Sequence, residues 1–130
     1  MIVADASALV EVLLRTSRGL AVADQLRSHS GGIHVPHLID FEVAQVLRRL
    51  VRNGSLEPSR GEAALEDLSD FPMERHPHRT LLPRNWQLRE NLTAYDAAYV
   101  ILAEALDAAL ISADVRTLST VRGLVRIQSP

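Results

Sequence analysis

The sequence predicts an α/β protein: a three-layer α/β/α sandwich on a short, mainly parallel central sheet. Two observations predict it. Short apolar runs (Ile2-Val3-Ala4, Ile33-His34-Val35, Ala108 to Ser112) have the length and content of strands buried on both faces. Between them lie segments whose apolar residues recur at helical spacing, so strands alternate with helices, the pattern of parallel crossover units. The chain has 130 residues and 47% apolar content, enough for one domain, 1–130, with its own core.

Taken in order, Ile2 to Ala4 is the first strand. Residues 8–15 read as a helix, with Glu11 and Arg15 paired on its outer face. After a break at residues 16–19, Leu20, Ala23 and Leu26 mark a second short helix. Ile33-His34-Val35 is a strand stopped by Pro36. Residues 37–52 are the clearest amphipathic helix: Leu38, Ile39, Val43, Val46, Leu47 and Leu50 share one arc, with Gln45, Arg48, Arg49 and Arg52 opposite. Pro58-Ser59 opens a helix to about Asp70. A short strand is expected at Met73-Glu74-Arg75, then helical structure over 79–91 with a kink or late start at Pro83. Thr93-Ala94-Tyr95-Asp96 has capping-box form ahead of an apolar helix to Leu106. Ala108 to Ser112 is a buried strand, Asp114 begins a short helix to Leu118, and Leu124 to Ile127 is a last edge strand.

Composition removes several function classes. There is no cysteine, which excludes disulfides, thiolate metal sites and thiol nucleophiles. All 14 basic residues are arginine, so no mechanism that needs lysine is available. The net charge of −2 provides no overall attraction to nucleic acid, although a local basic patch is compatible with it. No apolar run spans a bilayer and no basic region precedes the first apolar stretch, so a cytoplasmic location is expected.

The chemistry is expected in the acids. Glu57, Glu62, Glu66, Asp67, Asp70, Glu74 and Glu90 sit in polar surroundings and read as solvated surface. Asp5 ends the first strand and Asp114 follows the Leu110-Ile111 strand; in a parallel sheet both belong to one edge, where ligands bind. Asp96 shares a helix face with Val100 and Ala103. Taken alone, it would be an acid favoured by the helix dipole. On helix 37–52 both Asp40 and Glu42 border the apolar arc, and helical geometry does not choose between them. Inward carboxylates at one edge repel unless protonated or sharing a cation. An oxygen-only set suits Mg²⁺ or Mn²⁺ rather than zinc, and such sites usually serve phosphate chemistry. The histidines show no metal-ligand spacing on one helix face and read as turn or surface residues. Tyr95, Tyr99 and Trp86 read as packing residues.

Four segments carry a resemblance that runs in order along essentially the whole chain. They are Asp5-Ala6-Ser7 after the first strand; Pro36, then Phe41-Glu42-Val43 leading into Leu47-Arg48-Arg49; Leu92-Thr93-Ala94-Tyr95-Asp96-Ala97-Ala98-Tyr99; and Ser112-Ala113-Asp114. Together they resemble the PIN-domain family and, within it, the VapC-type toxins of bacterial toxin–antitoxin pairs. The resemblance implies a Mg²⁺-dependent endoribonuclease in which Mn²⁺ substitutes, neutralised by a small antitoxin and built as a homodimer. It implies a catalytic cluster of Asp5, Glu42, Asp96 and Asp114, with Asp5, Asp96 and Asp114 toward the metal. It takes Glu42 over Asp40. Ser7 and Thr93 would support the cluster, and hydrolysis by water would leave a 5′-phosphate and a 3′-hydroxyl. Some members carry a further acid after the last of these; Val115 to Leu118 supply none here. Arg116 is placed for RNA, with Arg48 and Arg49 as further candidates through their phosphate-matching forks.

Rival readings are weaker. A phosphoryl-accepting receiver domain relies on a lysine, and a haloacid-dehalogenase type wants Asp-x-Asp where this chain has Ser7. A catalytically silent PIN-fold module that binds RNA or protein sits poorly with four acids in place.

Overall fold

Ile2–Ala4 form β1, and all three residues are completely buried. The computed structural model describes residues 1–128; Ser129 and Pro130, the end of the expected unit 1–130, lie outside them. Four more strands follow: β2 (Ile33–Pro36), β3 (Glu74–His76), β4 (Ala109–Ile111) and β5 (Ile127–Gln128). They form one sheet in the order β3-β2-β1-β4-β5. Every pairing is parallel, so the sheet expected to be mainly parallel is wholly so among the described residues.

Parallel neighbours need crossovers, and helices supply them. These are α1 (Ala6–Leu13), α2 (Ser17–Arg27), α3 (Ile39–Arg52), α4 (Pro58–Asp70), a 3₁₀ turn (Arg79–Leu81) running into α5 (Leu82–Gln87), α6 (Ala94–Leu106) and α7 (Val115–Val121). α1 packs on α2, α3 and α4, while α5 and the 3₁₀ turn pack on α6. α6 lies against β1, β2 and β4, completing the three layers. Its residues Ala97 to Ala103 are all buried, which explains why it reads as apolar nearly all round. α3 buries Ile39, Val43 and Leu47 on one stripe, each contributing about 1.5–3 kcal/mol.

The chain leaves β1 for β2 and β3 on one side, then returns to place β4 on the other. The carboxyl ends of β1 and β4 therefore flank a topological switch point, the usual place for a ligand in such sheets. Ala4 pairs with Ile111, and the Asp5 N–H donates to the Ile111 carbonyl at 3.2 Å. Asp5 and Ser112 thus leave the sheet side by side.

Several boundaries differ from the sequence reading, each for a local reason. α1 starts at Ala6, not residue 8, because the Asp5 carboxylate caps it by accepting from the Ala8 N–H at 3.0 Å. It stops at Leu13, and Arg15 has φ 56°, so no Glu11–Arg15 helical pair forms. Glu11 instead accepts the hydroxyl of Thr16, whose oxygen caps α2 at Gly19. β3 lies one residue later than expected, set by its register with β2: His34 opposite Glu74, Pro36 opposite His76. α7 runs on to Val121, and β5 shrinks to two residues after a turn at Gly123, where φ is 98°. Residues 79–91 divide into the 3₁₀ turn and α5, with Pro83 in the first turn of α5.

Candidate functional site

Asp5 is buried, and two donors hold its carboxylate. The Ser7 hydroxyl donates to Asp5 Oδ1 at 2.7 Å, and the Ala8 N–H donates to the same oxygen. Ser7 Oγ also accepts from the Ala113 N–H at 2.9 Å and lies 3.2 Å from Ser112 Oγ. Ser112, completely buried, accepts from the Asp114 N–H at 3.0 Å. The two serines therefore tie the end of β1 to the end of β4 and place Asp5 and Asp114 at the same edge.

Asp114 caps α7, its Oδ1 accepting from the Arg116 N–H at 2.9 Å. Asp96 occupies the first turn of α6, where Thr93 Oγ1 accepts its N–H at 3.1 Å. Thr93 thus caps the helix, as the capping-box pattern predicts. Glu42, in the first turn of α3, is half-buried.

The acids share one field. Burial raises Asp5 above the usual carboxylate range; the Ser112 and Ser7 hydroxyls and the Ala8 N–H pull it down, and the Asp96 charge adds to the rise. Burial likewise raises Glu42, opposed by Tyr99 and reinforced by Asp96 and Asp5. Burial raises Asp96, opposed by Thr93 and reinforced by Asp114. Asp5, Glu42, Asp96 and Asp114 are therefore linked in a chain of mutual repulsion. Among the described residues, no three of these acids bring carboxylate oxygens within 4.8 Å of one another.

Asp40 faces elsewhere. Arg75 on β3 grips its carboxylate, Nε at 3.0 Å from Oδ2 and Nη2 at 2.8 Å from Oδ1. The choice that helical geometry leaves open is thus made by a neighbouring strand: Asp40 is an ion-pair partner, and Glu42 joins the other acids.

Glu42 Oε1 is buried without a hydrogen-bond partner, as is the Tyr99 hydroxyl. The two groups are close enough to perturb each other, and burial with the adjacent Glu42 charge raises the Tyr99 phenol. They do not form a geometrically sound bond. An orphaned carboxylate oxygen among mutually repelling acids is what a bound cation, or a water in its shell, would satisfy. The donor set is all oxygen, and its open spacing suits a hard cation that keeps waters in its shell. The residues present therefore fit Mg²⁺ or Mn²⁺.

Arg116 and Arg49 are exposed. Arg49 lines a groove with Ala6, Leu38, Phe41, Glu42, Gln45 and Tyr95, directly beside Glu42. Arg48 turns away into a different groove, between α3 and α4. The expectation for the aromatics is corrected in part. Tyr99 is buried, but Trp86 is 68% and Tyr95 64% exposed, so neither is a packing residue. Arg89 sits 4.8 Å over the Trp86 ring. The sequence pattern assigns no role to Ser112 by itself or to the Tyr99 hydroxyl. Both are local-pattern silent: a serine ending a strand and a tyrosine on an apolar face gain meaning only from what lies across the sheet.

Comparison with known proteins agrees with this architecture. Residues 2–124 match the PIN domain, and the chain belongs to that family. Among its relatives, ribonuclease VapC9 of Mycobacterium tuberculosis (strain H37Rv) is 44% identical over 122 residues, 92% of this chain and 91% of the relative. Ribonuclease VapC1 of the same strain is 40% identical over 123 residues, covering 94% and 91%. The crystal structure of PAE2754 from Pyrobaculum aerophilum superposes with a TM-score of 0.69 at 26% identity, covering 97% of this chain and 81% of that one. FitAcB from Neisseria gonorrhoeae shares the fold at 15% identity, with a TM-score of 0.67 and coverage of 98% and 96%.

Proposed function

We propose that the protein is the toxin of a type II toxin–antitoxin pair, a Mg²⁺-dependent endoribonuclease whose active centre is the acidic edge at the switch point. As a PIN-domain homologue of VapC ribonucleases, it is a nuclease. The observation that supports this edge as the centre is the convergence there of Asp5, Glu42, Asp96 and Asp114 from four separate segments, coupled by charge.

Asp5, Asp96 and Asp114 would hold the cation, with Mn²⁺ able to substitute. When bound, such an ion supplies Lewis-acid stabilisation of phosphoryl charge and makes a water more acidic. The chain does the rest. Ser7 and Thr93 fix Asp5 and the Asp96 helix. Glu42, raised above the usual carboxylate range by burial and by the Asp96 and Asp5 charges, is suited to take a proton from the attacking water. Arg116 and Arg49 stand exposed on this side to receive backbone phosphates. In this reading water would add to phosphorus as the P–O3′ bond breaks and the 3′ oxygen takes up a proton from solvent, leaving a 5′-phosphate and a 3′-hydroxyl.

A small cognate antitoxin would neutralise the site by covering this edge, an arginine being suited to enter an acidic pocket. A homodimer is the expected assembly. No helix among the described residues is long and apolar enough to cross a membrane, in keeping with a cytoplasmic site of action.

The test is cleavage of structured RNA by purified protein in Mg²⁺ and in excess EDTA, alongside growth arrest in cells. Cleavage is expected only with metal, and Asp5→Ala or Asp96→Ala is expected to abolish both cleavage and arrest in a folded protein. Asp67→Ala, a surface acid, is the control. RNA cleavage that persists in EDTA, or full toxicity of both variants at matched expression, would refute the proposal.

A further inference from the structure

The sequence pattern assigns the histidines to turns and surface and Glu74 to solvated surface. The fold corrects this for His34 and His76, which lie on strands, while Glu74 is exposed as expected. β2 and β3 lie side by side with His34 opposite Glu74. Glu74 and His76 alternate on β3 and so share a face. The result is a cluster in which His34, His76 and Glu74 each offer a donor atom within 4.8 Å of the others. His34 Nδ1 is 2.9 Å from His76 Nε2 and 3.5 Å from Glu74 Oε2.

The buried member is oriented. His34 is only 6% exposed, and its Nε2 lies 2.9 Å from the Gly31 carbonyl oxygen. A carbonyl only accepts, so Nε2 donates to it, and Nδ1 is the ring nitrogen that faces His76 and Glu74. A ring nitrogen bound to a carbonyl while the other faces a shared point is the arrangement that fixes histidine ligands to metals.

We propose that His34, His76 and Glu74 form a second metal site, for a borderline divalent transition ion such as Zn²⁺, separate from the acidic edge. Two imidazoles and one carboxylate suit zinc, with water in the fourth position, whereas Mg²⁺ avoids nitrogen ligands. Bonds of about 2.0–2.2 Å in a tetrahedral site place donors roughly 3.3–3.5 Å apart. The His34–Glu74 separation already has that value, and the His34–His76 pair must open by about 0.5 Å. Half-buried His76 and the 67% exposed Glu74 side chain have room to do so, while His34 stays anchored. None of the three residues contributes to the charge network of Asp5, Glu42 and Asp96. Bound there, the ion would clamp the edge strand β3 to β2.

Co²⁺ titration of the full chain in excess Mg²⁺, followed by visible absorption and displacement with Zn²⁺, tests the site. The Mg²⁺ fills the oxygen site and leaves the nitrogen site to report. One Co²⁺ per chain with tetrahedral ligand-field bands is expected, displaced by Zn²⁺. His76→Ala and Glu74→Gln should each weaken binding at least about tenfold, and Asp96→Asn should leave it unchanged. His34 is left intact because its burial makes removal a folding perturbation; Glu74→Gln alters an exposed side chain and keeps the test sound. Zn²⁺ should also raise the unfolding temperature of the parent more than that of Glu74→Gln. Absence of stoichiometric binding overturns the proposal, leaving the cluster a hydrogen-bonded contact. Binding indifferent to both β3 substitutions, or lost in Asp96→Asn, overturns it equally. RNA cleavage plays no part in this readout, so failure here is distinct from failure of the nuclease assignment.

Discussion

Asp40 and Glu42 stand two residues apart on one helical turn, yet their surroundings are opposite. Asp40 is half-exposed and paired with Arg75, while Glu42 keeps a buried, unpartnered oxygen among other acids. Glu42→Gln is expected to reduce RNA cleavage about 100-fold or more, in the range of losing a positioned acid–base group, with unchanged or slightly higher thermal stability. Asp40→Asn is expected to leave cleavage within about twofold and to cost about 0.5–1 kcal/mol, a value discounted for solvent around the pair. Steady-state cleavage and thermal melts of both variants check this, and equal loss of activity would remove the distinction. The raised acids also set a pH dependence. A carboxyl whose folded pKa lies above its unfolded value binds its proton more tightly when folded. The cost of burying that charge beside other acids is therefore absent below the unfolded pKa of about 4, enters as pH rises through that value, and is complete above the raised one. In EDTA at neutral pH, Asp96→Asn should be more stable than the parent by about 1 kcal/mol, allowing for partial exposure. The gain should vanish toward pH 4. A difference of the same size at both pH values would mean that charge is not its source.

At the scale of elements, the acidic edge depends on how α1 enters and leaves. α2 crosses α1 at Gly19, where an added Cβ would lie 2.0 Å from the Glu11 carbonyl oxygen. Backbone cannot yield as a side-chain tip does. Gly19→Ala is therefore expected to cost about 2–3 kcal/mol, the upper range for overpacking. Gly61 offers the contrast: its added Cβ would meet the Val51 Cγ2 methyl at 3.3 Å, a contact that small shifts relieve. Gly61→Ala, within α4, should be neutral or stabilising through helix propensity. Urea unfolding of both variants measures the difference, and a harmless Gly19→Ala would show that the two helices separate freely. The same close approach brings Thr16 to Glu11, so the α1–α2 turn is held at the end of α1 opposite to the one that Asp5 caps.

For the molecule as a whole, the order β3-β2-β1-β4-β5 makes β1 both the most buried strand and the one that delivers Asp5. Stability and cation binding are consequently coupled. Mg²⁺ at 100 times its dissociation constant should stabilise the parent by about 2.7 kcal/mol. Asp5→Asn, which keeps the side chain's shape, should lose most of that increment while folding normally without metal. Melting curves across a Mg²⁺ series measure it; an equal rise in both proteins would separate the ion from this edge. Mg²⁺ should likewise narrow the advantage of Asp96→Asn over the parent, because the ion neutralises the repulsion that the substitution removes.

Short-range periodicity and capping are legible in the amino-acid order alone. The alternation of buried runs with helical segments fixed the three-layer class. The acids after β1 and β4 mark one sheet edge, Thr93 marks the start of α6, and the segment around Asp96 carries the family likeness. Contacts between residues distant in the chain follow from the assembled fold. Arg75, 35 positions from Asp40, withdraws that acid from the cluster. Ser112, 105 positions from Ser7, joins the ends of β1 and β4. His34 and His76 meet across two strands, 42 positions apart. No helical or strand period relates such residues. Their meeting follows from strand order and register, which are set by burying the whole apolar surface at once, and so it becomes visible only when the sheet is assembled.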